Sequence, residues 1–245
     1  MKILITGASG LLGRAMYSLF TQSGFDCVGT SFSRNQRHLI KLDLTNESAL
    51  EQALHSYAPD FIIHAAAERK PDVCESNASG VYDLNVKATA ILAEWSQVHQ
   101  KPLLFISTDY VFDGKKTPYS IHDETSPINA YGESKVKAEK ILLEKSSTAK
   151  ILRIPVLYGA LEYVQESALS LLLDALYRAE GEVEFDHWSK RYPTAAEDVA
   201  EVVLQMQRKW HMLTESTYHW SGSQCWTKFE IAKLLQEAFH LHEKK

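Results

Sequence analysis

Lys2-Ile3-Leu4-Ile5-Thr6 runs straight into Gly7-Ala8-Ser9-Gly10-Leu11-Leu12-Gly13, and the reading of this junction decides the fold. The apolar run reads as a strand. Beyond it Leu12, Ala15, Met16 and Leu19 recur at helical spacing, so the GxxGxxG segment is a strand-to-helix turn. Gly7 permits the tight turn, Gly10 lets the backbone approach a pyrophosphate, and Gly13 lets helix and strand pack closely, while the helix N-terminus attracts the anion. A dinucleotide site is expected here, with Gly7, Ser9, Gly10, Leu11, Leu12 and Gly13 contacting the cofactor.

Short apolar runs alternate with helical periods along the rest of the chain, the pattern of a parallel sheet with helical crossovers. Strands are expected over residues 2–6, 26–30, 39–43, 61–65, 103–108, 151–156 and 183–185. Leu50, Ala53 and Leu54, then Ala88, Ile91, Leu92 and Trp95, mark the core faces of intervening helices. Thr194 with Glu197, and Thr227 with Glu230, read as capping boxes that start later helices. The expected class is α/β, a Rossmann-type doubly wound parallel sheet. Residues 1–159 read as its dinucleotide-binding domain, completed by about 193–221, with 160–192 and 222–245 as a small substrate lobe.

With 245 residues, 45% of them hydrophobic, the chain is long enough for one sizeable core. Its 31 acidic against 26 basic residues give a formal charge of −5, which argues against a nucleic-acid or membrane-surface binder. Cys27, Cys74 and Cys225 form no CxxC pair, and residues 1–5 are too short for the apolar core of a secretory signal, so a cytoplasmic location is expected. The sequons at Asn46 and Asn77 then carry no weight. No metal is expected: there is no HExxH, and His240 and His242 lie in a polar tail. A hydrolase is excluded by the lack of a GxSxG elbow or of a histidine placed to partner Ser107.

An acidic residue at the end of the second strand would hold the ribose hydroxyls of NAD. That place reads Thr30-Ser31-Phe32-Ser33-Arg34, so Ser33 and Arg34 favour a 2′-phosphate, and NADPH is expected over NADH. Asp43, followed by Leu44, either faces the adenine or begins the turn that Thr45 and Asn46 continue.

The fifth strand ends in Ser107-Thr108-Asp109-Tyr110, and Tyr131 follows 23 residues after Thr108, in Tyr131-Gly132-Glu133-Ser134-Lys135. Tyrosine and lysine at i and i+4 share one helix face. A phenol ionises near pH 10, and a neighbouring ammonium favours the ionised form, which gives this pair a chemical reason in acid-base catalysis.

These motifs, together with HAAA at 64–67, LNVKA at 84–88, STDYVFDG at 107–114 and RIPVLYG at 153–159, resemble the extended short-chain dehydrogenase/reductase family, and within it the dTDP-4-dehydrorhamnose reductase group. The resemblance implies that Thr108, Tyr131 and Lys135 are catalytic, that Ala65, Ala66, Ala67 and Asn85 line the cofactor, and that Lys135 also serves the nicotinamide ribose. It further implies NADPH-dependent reduction of a 4-keto deoxysugar nucleotide, bound by the C-terminal lobe; the sequence leaves the oligomer open, with a homodimer as one option. Two stretches depart from that group, Glu68-Arg69-Lys70-Pro71-Asp72 and Asp186-His187-Trp188-Ser189-Lys190-Arg191-Tyr192. Both resemble the regulatory beta-subunit family of methionine adenosyltransferase, so the alternative is a non-catalytic NADP-binding subunit with an enzyme partner. A sugar nucleotide carries a diphosphate, and the expected substrate contacts are Arg69, Lys70, Lys190, Arg191, His187 and Trp188. The Arg-Pro segment usual after the last helix is missing before Lys245, so the substrate lobe reads as truncated.

Overall fold

A computed structural model describes residues 1–34 and 36–241. The chain forms β1 (Lys2–Thr6), α1 (Leu11–Gln22), β2 (Asp26–Ser31), β3 (Ile40–Lys41), α2 (Glu47–Tyr57) and β4 (Phe61–His64). Two short helices, α3 (Pro71–Ser76) and α4 (Ala78–Tyr82), lead through a π turn into α5 (Ala88–His99) and β5 (Leu103–Thr108). Then come α6 (Ala130–Lys145), β6 (Ala149–Ile154), β7 (Leu157–Tyr158), α7 (Ala168–Arg178), β8 (Thr194–Ala195), α8 (Ala196–Arg208), β9 (Thr217–His219) and α9 (Lys228–Ala238).

The main sheet has the order β3-β2-β1-β4-β5-β6-β9, and every neighbouring pair is parallel. It is the doubly wound α/β architecture. Alternation along each strand divides the core between the two faces. Ile3, Ile5, Phe61, Ile63, Leu104 and Ile106 pack against α1 and α8, whereas Leu4, Ile62, Leu103 and Phe105 pack against α2, α5 and α6. The strand order reverses between β1 and β4, so the chain crosses to opposite faces there and leaves a crevice beyond the strand ends.

Two expectations are corrected. Residues 183–185 are not a strand: Val183 is exposed, flanked by Glu182 and Glu184, and the segment pairs with no strand among the described residues. The seventh strand is instead β9, whose three residues are too short for an alternation to stand out; it pairs Ile151 with Thr217. Thr194 and Glu197 form no capping box. The backbone of Thr194 pairs with Leu157 across β7 and β8, so the helix starts later, with Ala195 as its uncapped N-cap. The Thr194 hydroxyl donates to the Tyr192 carbonyl at 2.8 Å and accepts from Gly222 N–H at 2.8 Å. The box at Thr227 and Glu230 does form at the head of α9.

Residues 160–192 run over the glycine-rich turn, through a 3-10 turn at Val164–Glu166, into α7, which packs on α9. An antiparallel bridge between Arg191 and Trp226 ties the following loop to the start of α9. No described helix is long and apolar enough to cross a membrane. His242, named in the polar tail, lies outside the described residues.

Candidate active site

Gly7 sits at φ +69°, and a Cβ there would lie 2.8 Å from Ala66 Cα. Only glycine lets the turn adopt that conformation and lets the segment after β4 pass so close. A Cβ on Gly13 would stand 2.1 Å from the Gly7 carbonyl oxygen, so the first turn of α1 lies directly on the loop. Gly10 is the N-cap of α1 and supplies no side-chain cap, which leaves the helix N–H groups for an anion. The cradle fits a dinucleotide diphosphate.

Ala65, Ala66 and Ala67 follow β4 beside this turn. Ala65 N–H donates to the Thr6 carbonyl at 3.3 Å, and Ala66 N–H to the Thr6 hydroxyl at 3.3 Å. Beneath them His64 is enclosed, with Nδ1 2.7 Å from Thr6 Oγ1 and Nε2 3.0 Å from Thr89 Oγ1. Burial, then the charge of Lys135, pushes this imidazole down to about 3, so it is a neutral strut. Asn85 is buried as well. Its amide donates to the Glu68 carbonyl at 2.9 Å and to Ser134 Oγ at 3.0 Å, and its oxygen accepts from Glu68 N–H at 2.9 Å. It therefore fastens the loop after β4 to α6.

Thr108 closes β5. Its hydroxyl accepts from Tyr110 N–H at 3.2 Å and donates to Asp109 at 3.2 Å. Although Asp109 keeps access to solvent, desolvation by the protein packed around it pushes its carboxyl up to about 6, against the opposing effects of Thr108 and Arg191. Tyr131 lies in the first turn of α6, where Asn129 caps Gly132 N–H at 2.8 Å, and its ring meets Tyr110 edge-on at 6.1 Å. Burial raises the Tyr131 phenol, and the cation that opposes this is Arg69. Lys135, one turn further on, donates to the Ile106 carbonyl at 2.7 Å and lies 3.8 Å from the Phe105 ring centre. Burial pushes its ammonium down to about 7, with Glu139 opposing.

The remaining sequence-predicted residues divide. Ser33 is exposed. Arg34 reaches the Ser9 carbonyl and pairs with Glu166 at 2.5 Å. Asp43 accepts from Thr45 N–H at 2.9 Å and Thr45 Oγ1 at 2.7 Å, the geometry of a turn start, and Leu44 is buried in the core. Arg69 donates to the carbonyls of Gln165 and Glu166 at 3.2 and 2.6 Å. Arg191 pairs with Asp186 at 3.3 Å and acts electrostatically on Asp109 and Tyr110. Lys70 stays exposed, and Lys190 acts on Glu230. His187 bonds Thr227 Oγ1 at 2.9 Å and packs on Phe229, joining its loop to α9, whereas Trp188 is 88% exposed. Among the described residues no acidic, histidine and cysteine cluster could hold a metal.

Sequence reasoning missed Asp109, Arg14 and Glu166. Asp109 stood inside the quoted STDYVFDG motif, beside Thr108. Glu166 carried no local signal, because its partners Arg14 and Arg34 are more than a hundred residues away.

A methionine adenosyltransferase 2 subunit beta from Rattus norvegicus is 42% identical over 243 residues, covering 98% of this chain and 72% of that protein. A dTDP-4-dehydrorhamnose reductase from Aggregatibacter actinomycetemcomitans is 34% identical over 238 residues, 94% of this chain and 77% of that one. Among solved structures, a dTDP-4-dehydrorhamnose reductase from Clostridium acetobutylicum superposes with a TM-score of 0.87 at 27% identity, covering 98% of this chain and 81% of its own. The reductase from Bacillus anthracis, solved in complex with NADP, gives 0.82 at 27% identity over the same shares. Residues 1–245 match the family described as RmlD substrate binding domain, and with these relatives at its side the chain belongs to that family.

Proposed function

We propose that the protein binds NADPH across the ends of β1 and β4 and reduces the keto group of a 4-keto deoxysugar nucleotide. The observation that carries this is the meeting of the end of β5 with the head of α6, where Tyr110, whose N–H donates to the Thr108 hydroxyl, packs edge-on against Tyr131, with Lys135 one turn further along α6. The nicotinamide, when bound, supplies hydride. Thr108 hydrogen-bonds the keto oxygen, and Tyr131 delivers the proton that this oxygen needs as it becomes a hydroxyl. The raised phenol keeps that proton at neutral pH until negative charge develops on the oxygen. For Thr108 to donate to substrate its proton must turn from Asp109, which is easiest when that carboxyl is protonated. Arg69 and Arg191, acting on Tyr131 and on Asp109 with Tyr110, give the substrate side the positive potential a diphosphate requires. Arg34 beside Ser9 supports NADP(H) as the cofactor.

A second reading, a non-catalytic NADP-binding regulatory subunit with an enzyme partner, is favoured by the 42% identity to the beta subunit against 34% to the reductase. The two differ in turnover. Purified protein is incubated with NADPH and a panel of 4-keto sugar nucleotides while nicotinamide absorbance is followed. Consumption of NADPH supports the reductase. Binding of NADPH without consumption across the panel supports the regulatory subunit instead.

A further inference from the structure

Among the ties that hold the loop of residues 160–167 over the glycine-rich turn is one buried carboxylate. Glu166, with a side chain 4% exposed, receives two hydrogen bonds from Arg14, Nη1 to Oε1 and Nη2 to Oε2, both at 2.7 Å. Arg34 adds a third, Nη1 to Oε1 at 2.5 Å, and Glu162 N–H a fourth, to Oε2 at 2.8 Å. The charges of Arg14 and Arg34 are thus balanced by Glu166 and by Glu162, which lies 3.4 Å from each arginine. Arg34 also touches the Ser9 carbonyl and lies over the Tyr163 ring at 4.7 Å.

We propose that Glu166 is a specificity-determining residue for the cofactor: its carboxylate holds the guanidinium that would bind a 2′-phosphate, so NADP(H) binds by taking Arg34 away from Glu166. This rests on the reading of the site as one for NADP(H). A phosphate dianion is a stronger partner for guanidinium than a carboxylate, and it can engage both prongs of the fork. Every hydrogen bond Arg34 makes among the described residues leaves from Nη1, so its attachment is one-pronged. Arg14 grips Glu166 with two nitrogens and keeps it when Arg34 departs. The loop then stays in place, because Arg14 also donates to the Ala160 carbonyl at 2.9 Å and Arg69 holds the carbonyls of Gln165 and Glu166. A 2′-hydroxyl has no charge with which to compete, so NADH leaves the pair intact. In this account Arg34 alone does not set the preference for NADPH; the competition between phosphate and Glu166 does.

The test measures NADPH and NADH affinities by titration calorimetry for wild type, Glu166→Gln, Arg34→Gln and the double variant. Glu166→Gln keeps the size and an acceptor oxygen but removes the competing charge. It should tighten NADPH about tenfold or more while moving NADH less than about threefold, a differential of the size expected for one charge at a half-buried site. In the Arg34→Gln background the gain should vanish. If Glu166→Gln does not fold, Glu166→Asp carries the test, since it retains a charge for Arg14 but shortens the reach to Arg34; a smaller gain for NADPH alone is expected. Equal changes for both nucleotides, or no change for NADPH, would overturn the proposal and leave the cofactor reading standing. Failure of both nucleotides to bind wild type would overturn the cofactor reading, and the proposal with it.

Discussion

Tyr131 illustrates how much a single residue's role depends on what surrounds it. The i, i+4 spacing with Lys135 led to the expectation of an ammonium lowering the phenol, yet Lys135 is drawn to the Ile106 carbonyl and burial raises the phenol. Replacing Tyr131 with Phe should leave NADPH affinity within a factor of about two while lowering turnover by ~100-fold or more, as measured by steady-state kinetics. His64 makes a second prediction. Its folded value of about 3 lies below the ordinary 6.5, so its contribution to stability is complete above pH 6.5 and is lost as pH falls toward 3. Asp109 works in the opposite sense between its ordinary 3.8 and about 6, because partial desolvation by the surrounding protein favours its protonated form. Thermal melts across this range should show a shallower acid loss for His64→Gln than for wild type; parallel curves would count against the buried imidazole. Thr108, Tyr131 and Lys135 stand out in the sequence as candidates because a short motif carries each of them. The Glu166 pairing was not, because folding alone brings residues 14, 34 and 166 together.

Among elements, the two expected capping boxes show where local sequence suffices. Thr227 precedes a helix whose start nothing else contests, and the reciprocal bonds with Glu230 form. Thr194 has the same spacing, but its backbone is taken by the pairing of β7 with β8, a long-range contact no local pattern reports. Thr227→Ala should therefore cost ~1 kcal/mol, detectable by chemical denaturation and concentrated in α9 by hydrogen exchange. The strand expected at 183–185 failed for a related reason: Val183 and Phe185 alternate with Glu184 as a strand would, but a strand also needs a partner strand. The glycine-rich turn was legible to the residue. Gly13→Ala should perturb this element most, costing ~2 kcal/mol or more by overpacking against the Gly7 carbonyl, and should weaken NADPH binding in the same titration.

At the scale of the whole molecule, the alternation of strands and helices was enough to give the sheet, and the sheet order gives the site. The reversal between β1 and β4 opens the crevice that the glycine turn and the Ala65–Ala66–Ala67 segment line, while the end of β5 and the head of α6 meet through Tyr110 and Tyr131. The substrate side was less legible. Of the basic residues expected there, Arg69 braces the loop of residues 160–167 and Arg191 is shared with Asp186, so each has a structural duty beside its charge. Because the cofactor crevice is built from the main sheet, NADPH at 100 times its dissociation constant should stabilise the fold by ~2.7 kcal/mol, read as a rise in thermal midpoint.

The central claim, hydride delivery to a keto carbon with Tyr131 as proton donor, is tested most directly by isotope transfer. NADPH carrying deuterium at the transferable position of the nicotinamide is incubated with the protein and a 4-keto deoxysugar nucleotide, and the sugar is analysed by mass spectrometry and NMR. The account predicts one deuterium on the new carbinol carbon with wild type, and little in the same time with Tyr131→Phe. Unchanged ketone in the presence of bound, unconsumed NADPH would contradict it.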